Sequence, residues 1–437
     1  MRRRDFVKSL AVSSGLGALG LPMSRIYAAP NLYEYDGNLL ITLQMDGGWD
    51  VTSLCDPKTN QPGEPQINHW ATDGEIREAG NIAYAPFANN ASLFDKYYRD
   101  MLIINGVDAQ TNSHTVGVLH NWSGKTAEGL PTLSALFAAH NSPDMPLSYL
   151  NFGGYAQTSG LIRYSRLDDI DSLIDLLDPN AIPWDRNRSW RSNAEVSRVQ
   201  TYQQAAMERR LTSPTLTPRQ RENINAYLGA RSSREALHLL LDILPEPNDF
   251  QPDRDLGELG SSSLLRQIQL TLLTFKAGIG SASDLWLGGF DTHANHDALH
   301  LSLFEHVVES VDYLWTFANE LGIAERITLV IGSDFGRTPF YNADTGKDHW
   351  PIGSYIVMAK DAPWGNRVVG STDELHNAHS INPSSLQVDN QSGTIIYPKH
   401  VHQALRRHLG IEAFGMDHGL GFPGTEDFDF FNPGKQT

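Results

Sequence analysis

The sequence predicts an α/β fold, a mostly parallel sheet with helices on both faces and a helical insertion, and two observations lead to it. Short apolar runs rich in Ile, Leu and Val alternate with longer segments whose apolar residues recur every three or four positions. That alternation is expected of a parallel sheet covered on both sides. Three of the runs stop directly at, or one residue before, an aspartate: Asp46, Asp291 and Asp334. In open sheets of this kind, ligands bind beyond the carboxyl ends of the strands.

Residues 1–28 stand apart from the fold. Arg3–Arg4, then Phe6 and Lys8, then an apolar glycine-rich stretch from Leu10 to Leu21 fit a twin-arginine signal peptide. Cleavage is expected after Ala28 or Ala29, and the apolar stretch is too short to span a bilayer. The expected location is therefore periplasmic or extracellular. The twin-arginine export machinery is the implied partner, and no membrane span remains after cleavage.

The remaining chain, 29–437, reads as one large domain. Strands are predicted at Asn38–Met45, Asp100–Val107, Met145–Phe152, Ser283–Phe290, Ile327–Ser333 and Gly353–Ala359. After the serine run 261–263, Leu265, Ile268, Leu272 and Phe275 form one apolar helical stripe. From Leu299, the positions Leu303, Val307, Val311, Leu314 and Ala318 form another, ending near Gly322. A third helix is bracketed by Pro398 and Gly410, and its His400, His402 and His408 read as surface residues. The stretch from about 162 to 262 is rich in Arg, Gln, Ser and Asn and helical in pattern. It reads as an insertion or cap in which Thr217, Pro218 and Gln220 open a helix.

Composition narrows the function classes. Of 437 residues, 40% are hydrophobic and 19% charged, which is an ordinary globular balance. The single cysteine, Cys55, excludes an intramolecular disulfide. The net charge is −17, and removing residues 1–28 makes the remainder more acidic still. Nucleic acid and anionic lipid would be repelled. No P-loop motif is present and no G-x-G-x-x-G follows a predicted strand, which leaves nucleotide binding a distant third reading.

Chemistry gathers after the strands. Asp46 and Gly47–Gly48 follow the first, and Asn112, Ser113 and His114 lie in the loop after the second. Asp291, His293 and His296 follow the fourth, and Asp334, Arg337, Asp348 and His349 follow the fifth. Single acids after strands are common as turn residues and caps. Three of them with histidines close by point instead to carboxylate and imidazole ligands for a divalent ion. Arg337 either forks onto two oxygens of a phosphate or sulfate, or makes a salt bridge that orders its loop. Gly47–Gly48 and Gly288–Gly289 either let backbone approach a ligand or simply form turns.

The order Asp46, Ser113, Asp291, a nearby His, Asp334 and His349 resembles the alkaline phosphatase superfamily. "GGFDTHANH", "SDFGRTP" and the later "DHW" resemble more closely a family of exported proteins within it, domain of unknown function 1501. The resemblance implies an alkaline phosphatase-like fold over most of the mature chain. It implies a divalent metal (Zn²⁺, Mn²⁺ or Ca²⁺) held by Asp46, Asp291, His293, Asp334 and His349, with Ser113 as nucleophile; Arg337, by the chemistry of its guanidinium, is the other catalytic candidate. Asp46, Ser113 and Asp334 would surround one ion. Asp291, His293 or His296, and His349 would surround the other. The chain departs from the superfamily pattern in having Phe335 after Asp334 where a His is frequent, and Asn295 four residues after Asp291. His114 or Asp348 is the candidate to fill the missing place.

Two functions follow. The first is an exported metal-dependent hydrolase of phosphate or sulfate esters, acting on a small molecule or a polymer. The second is a non-catalytic alkaline phosphatase-like protein that serves in binding or assembly at the cell surface.

Overall fold

The computed structural model describes residues 35–432 apart from 167–177, 218–219, 222–223, 225–243 and 246–248. The export segment 1–28 lies outside the described residues, as does most of the helix expected after Thr217. Thr217 and Gln220 do exchange the reciprocal bonds of a capping box, at 3.0 and 3.3 Å.

Eight strands form the main sheet. In chain order they are β1 (Leu39–Met45), β2 (Met101–Asp108), β3 (Tyr149–Asn151), β4 (Ser165–Arg166), β5 (Ala282–Leu287), β6 (Ile327–Ser333), β7 (Ile352–Ala359) and β8 (Arg367–Val369). Their spatial order is β8-β2-β7-β6-β1-β5-β3-β4. The sheet is mostly parallel, as expected: β6-β1-β5-β3-β4 is a parallel run and β8 is parallel to β2. Only β7 is reversed, antiparallel to both β6 and β2. The reversal positions the site. The other seven strands end at one edge, and β7 begins there, directly after His349.

The side-chain alternation of β1 shows how the sheet is sandwiched. Leu39, Ile41, Leu43 and Met45 pack into one buried cluster and Leu40 into the other, because successive side chains on a strand point to opposite faces. On the first face lie α1 (Asn90–Tyr97), α5 (Leu264–Lys276) and α6 (His296–Leu321). They contribute Phe94, Ile268, Leu272, Leu303, Val307 and Leu314, among others, to that core. On the second face lie α2 (His114–Ser123), α3 (Leu133–Asn141) and α7 (Pro398–His408), with Trp122, Leu136, Phe137, Val401 and Leu405 buried. Each such side chain stabilises the fold by about 1.5–3 kcal/mol. Truncating Phe304, which is fully buried, would cost about 3–5 kcal/mol.

Helix ends follow their sequence signals. α6 stops where Gly322 takes a left-handed conformation, and the chain after α7 turns at Gly410 in the same way. α6 begins three residues before the expected Leu299. Two of the histidines expected on the surface of α7 are buried instead. His400 sits against Glu426 (Nε2 to Oε2, 3.0 Å), and His402 donates from Nε2 to the Asn121 carbonyl at 2.8 Å. The apolar stripe alone does not reveal this, because α7 is flanked by chain on more than one side. Within the insertion, α4 (Asn193–Leu211) buries none of its side chains and starts with a capping box between Ser192 and Glu195.

Candidate functional site

The site lies at the sheet edge where β1, β5, β6 and β2 end and β7 begins. Two glycines let its loops meet. A Cβ at Gly47, which has φ +118°, would stand 2.4 Å from the Asp291 backbone nitrogen. A Cβ at Gly346 would stand 1.9 Å from the His293 carbonyl. The loop after β5 and the loop before β7 are therefore in backbone contact. Lys347 N–H donates to the Thr292 carbonyl at 3.1 Å, and His296 N–H donates to the Thr345 carbonyl at 3.1 Å.

Three histidines share one arrangement. His349 Nδ1 lies 2.8 Å from the Asn112 carbonyl, His293 Nδ1 lies 2.7 Å from Asp348 Oδ1, and His114 Nδ1 lies 2.5 Å from Asp334 Oδ2. An oxygen of this kind can only accept, so each ring carries a proton on Nδ1, and in the neutral ring the lone pair is on Nε2. All three Nε2 atoms face Asp291. His293 Nε2 and His349 Nε2 are 3.0 Å apart, and they stand 3.0 and 3.1 Å from Asp291 Oδ1. His114 Nε2 is 3.4 Å from Asp291 Oδ2, and no hydrogen bond satisfies it although it is buried.

Two neutral imidazole nitrogens and a carboxylate oxygen in mutual contact repel one another unless a proton or a cation lies among them. Ligands about 2.0–2.2 Å from a zinc-type ion in a tetrahedron stand about 3.3 Å apart, close to the spacing found. Donation of the remote ring N–H to a carboxylate or carbonyl is also how metal-binding histidines are oriented. The residues present therefore fit a divalent ion. Asp291 and His349 belong to two overlapping triads, one completed by His293 and the other by His114, whose donor atoms lie within 4.8 Å of Asp291 and His349.

The acids are differentiated by their surroundings. Burial would raise the Asp291 carboxyl, but the hydrogen bond and charge of Arg337 outweigh it and hold the group down to about 2. Burial, reinforced by the charge of Asp334, pushes Asp46 up. Asp334 is 1% exposed, and its Oδ1 accepts from Gly47 N at 3.0 Å, Gly48 N at 2.8 Å and Ser333 Oγ at 2.9 Å. Its other oxygen is taken by His114. The geometry thus gives Asp334 the part of orienting His114 and the turn after β1. Asp46 lies beside it, with no hydrogen bond from the three histidines among the described residues.

Arg337 takes the loop-ordering alternative. It is fully buried, and its guanidinium donates to the Gly48 carbonyl (2.8 Å), the Lys347 carbonyl (3.0 Å), the Gly47 carbonyl and Asp291 Oδ1 (2.7 Å). The fork is spent on three carbonyls and a carboxylate, as the loop-ordering alternative expects. His296 is likewise turned away from the site. It is 1% exposed, with Nε2 donating to Asp50 Oδ2 at 3.0 Å and Nδ1 2.7 Å from Thr292 Oγ1. Ser113 is the exposed N-cap residue of α2, and its hydroxyl makes no capping bond. Phe335 packs against both His114 and His349, its ring tilted and 4.9 and 4.6 Å from theirs.

Beneath these residues lies a buried polar layer that the sequence does not announce. Asp50, Lys347, His296, His300, Thr52 and Asn68 are all 1% exposed or less. Lys347 and His296 outweigh the effect of burial on Asp50 and hold its carboxyl well below the usual range. Burial pushes His296 and His300 below the usual histidine range. No local motif links residues so far apart in the chain; only Asp50 following the Gly47–Gly48 turn hinted at it.

A family model for proteins of unknown function, DUF1501, matches residues 175–405, more than half of the chain. The chain belongs to the DUF1501 family. No curated protein matches this member of the family in sequence. Among solved structures it is similar to Ps i-CgsB, determined in complex with k-i-k-neocarrahexaose, at 7% identity and TM-score 0.41, over 91% of this chain and 76% of that one. It is similar to the lipoteichoic acid synthase LtaP from Listeria monocytogenes at 8% identity and TM-score 0.34, over 93% and 80%. It is similar to the phosphonate monoester hydrolase of Agrobacterium radiobacter at 10% identity and TM-score 0.34, over 85% and 74%. Similarity at this level assigns no activity to the DUF1501 chain. No helix among the described residues is long and apolar enough to cross a membrane.

Proposed function

We propose that this DUF1501 protein is an exported, metal-dependent hydrolase of phosphate or sulfate esters. One observation carries the reading: the lone pairs of His293 Nε2 and His349 Nε2 meet Asp291 Oδ1 at 3.0–3.1 Å, with His114 Nε2 unpartnered beside them. Asp291, His293 and His349 would hold the ion, with His114 completing the set. Asp334, Asp348 and the Asn112 carbonyl would fix the ring orientations. Three nitrogens and a carboxylate suit zinc or manganese better than calcium, which prefers oxygen ligands. Such an ion would polarise the ester and ease attack by a hydroxyl.

The side chains of Asp291 and His293 are each 47% exposed, which leaves the solvent side open to a substrate oxygen. Ser113, with its hydroxyl free at the start of α2, is the nucleophile of this proposal. The first-turn N–H groups of the helix favour the negative charge of the ester. Export by the twin-arginine route rests on the N-terminal motif, and it suits a protein that takes up its metal before leaving the cytoplasm.

Phe335 favours the second reading, a non-catalytic protein serving in binding or assembly at the cell surface, because an apolar ring packs against two of the histidines. Elemental analysis and a screen of aryl phosphate and sulfate esters with Zn²⁺, Mn²⁺ and Ca²⁺ separate the two. The hydrolase reading expects bound metal that falls sharply in His349→Ala, and turnover that is lost in Ser113→Ala. Metal without turnover of any ester selects the surface protein. A well-folded protein that takes up no metal overturns the hydrolase and selects the non-catalytic reading.

A further inference from the structure

We propose that the cleft between α7 and the chain at 419–423 binds a small oxyanion, the counter-charge that Arg406 lacks among the described residues. The cleft measures about 290 Å³ and is lined by Gln403, Arg406, Glu412, Met416, Phe422 and Pro423. That is the size of a site for a small molecule. It lies at the opposite end of α2 from His114, about 15 Å along the helix.

Two neighbouring arginines on α7 differ in their partners. Arg407 is exposed and pairs with Glu412 (Nε to Oε2, 3.1 Å) and Asp427 (Nη1 to Oδ1, 2.6 Å). Arg406 is 3% exposed and pairs with no acid among the described residues. Its Nη1 donates to the Leu420 carbonyl at 2.6 Å and its Nη2 to the Ser123 carbonyl at 3.2 Å. Its Nε has no partner. The carbonyl at the end of α2 supplies only a partial negative charge. Buried charges in proteins are paired, because desolvating a lone charge is costly.

A second cation shares the same ring. The Arg406 guanidinium lies 4.4 Å from the centre of Phe422, and Lys125 Nζ lies 5.2 Å from it. Lys125 is half-buried and likewise has no acidic partner among the described residues. The one carboxylate lining the cleft, Glu412, is already held by Arg407. Gln403 adds a buried carbonyl oxygen that accepts from nothing. Two cations without an acidic partner among the described residues, and the apolar walls of Met416, Phe422 and Pro423, are complementary to a compact oxyanion. It would be a free inorganic ion or the carboxylate of a small organic acid.

The test is calorimetric titration of the purified protein with inorganic phosphate and, separately, with acetate at constant ionic strength. Wild type, Lys125→Gln, Arg406→Gln and His349→Ala are compared. The expected result is saturable binding that survives His349→Ala and weakens at least fivefold in Lys125→Gln. Lys125→Gln keeps the test decisive if Arg406→Gln fails to fold for want of its two carbonyl bonds. Binding of phosphate alone identifies an inorganic ion as the natural class, and binding of acetate alone an organic acid. Binding that disappears in His349→Ala and is unchanged in Lys125→Gln places the anion at the candidate metal centre and overturns the proposal. Absence of binding by either ion at millimolar concentration overturns it equally.

Discussion

Lys347 Nζ lies 2.7 Å from Asp50 Oδ2, and neither side chain is exposed. Lys347 also donates to Asn68 Oδ1 at 2.9 Å, and Asp50 Oδ1 accepts from Thr52 N at 3.0 Å. The pair ties the turn after β1 to the residue that precedes Asp348 and His349. Removing one partner of a buried pair leaves a lone charge and costs about 3–5 kcal/mol. Lys347→Met is therefore expected to lose that much stability in chemical denaturation. The double variant Asp50→Asn/Lys347→Met should lose less than the two single changes added together. Additive losses would show that the two groups do not act as a pair.

Asp348 holds His293 by its Nδ1, at 2.7 Å, and is itself exposed. Its removal should leave the fold intact and release the ring. Partners of this kind, when lost, lower metal affinity about 10–100-fold. Competition with a chromophoric chelator should show that loss in Asp348→Ala. An unchanged affinity would remove His293 from the metal set.

Arg337 is expected to act on stability before it acts on substrate. Arg337→Ala orphans the carbonyls of Gly47, Gly48 and Lys347 and frees Asp291 from its partner. A loss of about 3–5 kcal/mol follows from breaking a buried charged network. A variant that melts with the wild type and shows only a raised KM would restore the ester-binding role.

His400 and His402 make the protein acid-sensitive away from the site. Burial pushes His400 down to about 4, against a raising bond from Glu426, and burial pushes His402 down to about 3. Each folded pKa lies below the usual value of about 6.5. The unfolded chain therefore binds more protons on acidification. The stabilisation is complete above about pH 6.5 and is lost as pH falls toward 4, on the order of 2–3 kcal/mol per histidine. Urea midpoints across that interval should fall in wild type, and less steeply in His402→Gln. An equal slope in the variant would remove His402 from the effect.

The sheet was legible because a parallel strand buried on both faces must be a short apolar run, and six such runs stand out in the chain. The acids Asp46, Asp291 and Asp334 were legible as site candidates because ligands of open α/β sheets bind beyond strand ends. The direction of β7 was not legible, since an apolar run carries no sign of parallel or antiparallel pairing. That direction decides that His349 enters the same edge that Asp291 leaves.

The sequence by itself determined the fold class, the helices capped at Gly322 and Gly410, and the loops in which the chemistry would lie. Only the tertiary structure decided which groups face one another. It turned His293, His349 and His114 toward Asp291 and sent His296 inward to Asp50. It spent Arg337 on backbone carbonyls and left Arg406 without an acid among the described residues. Periodicity reports which side of an element is apolar. It is silent on polar groups brought together from distant loops, because their pairing depends on strand order and loop approach.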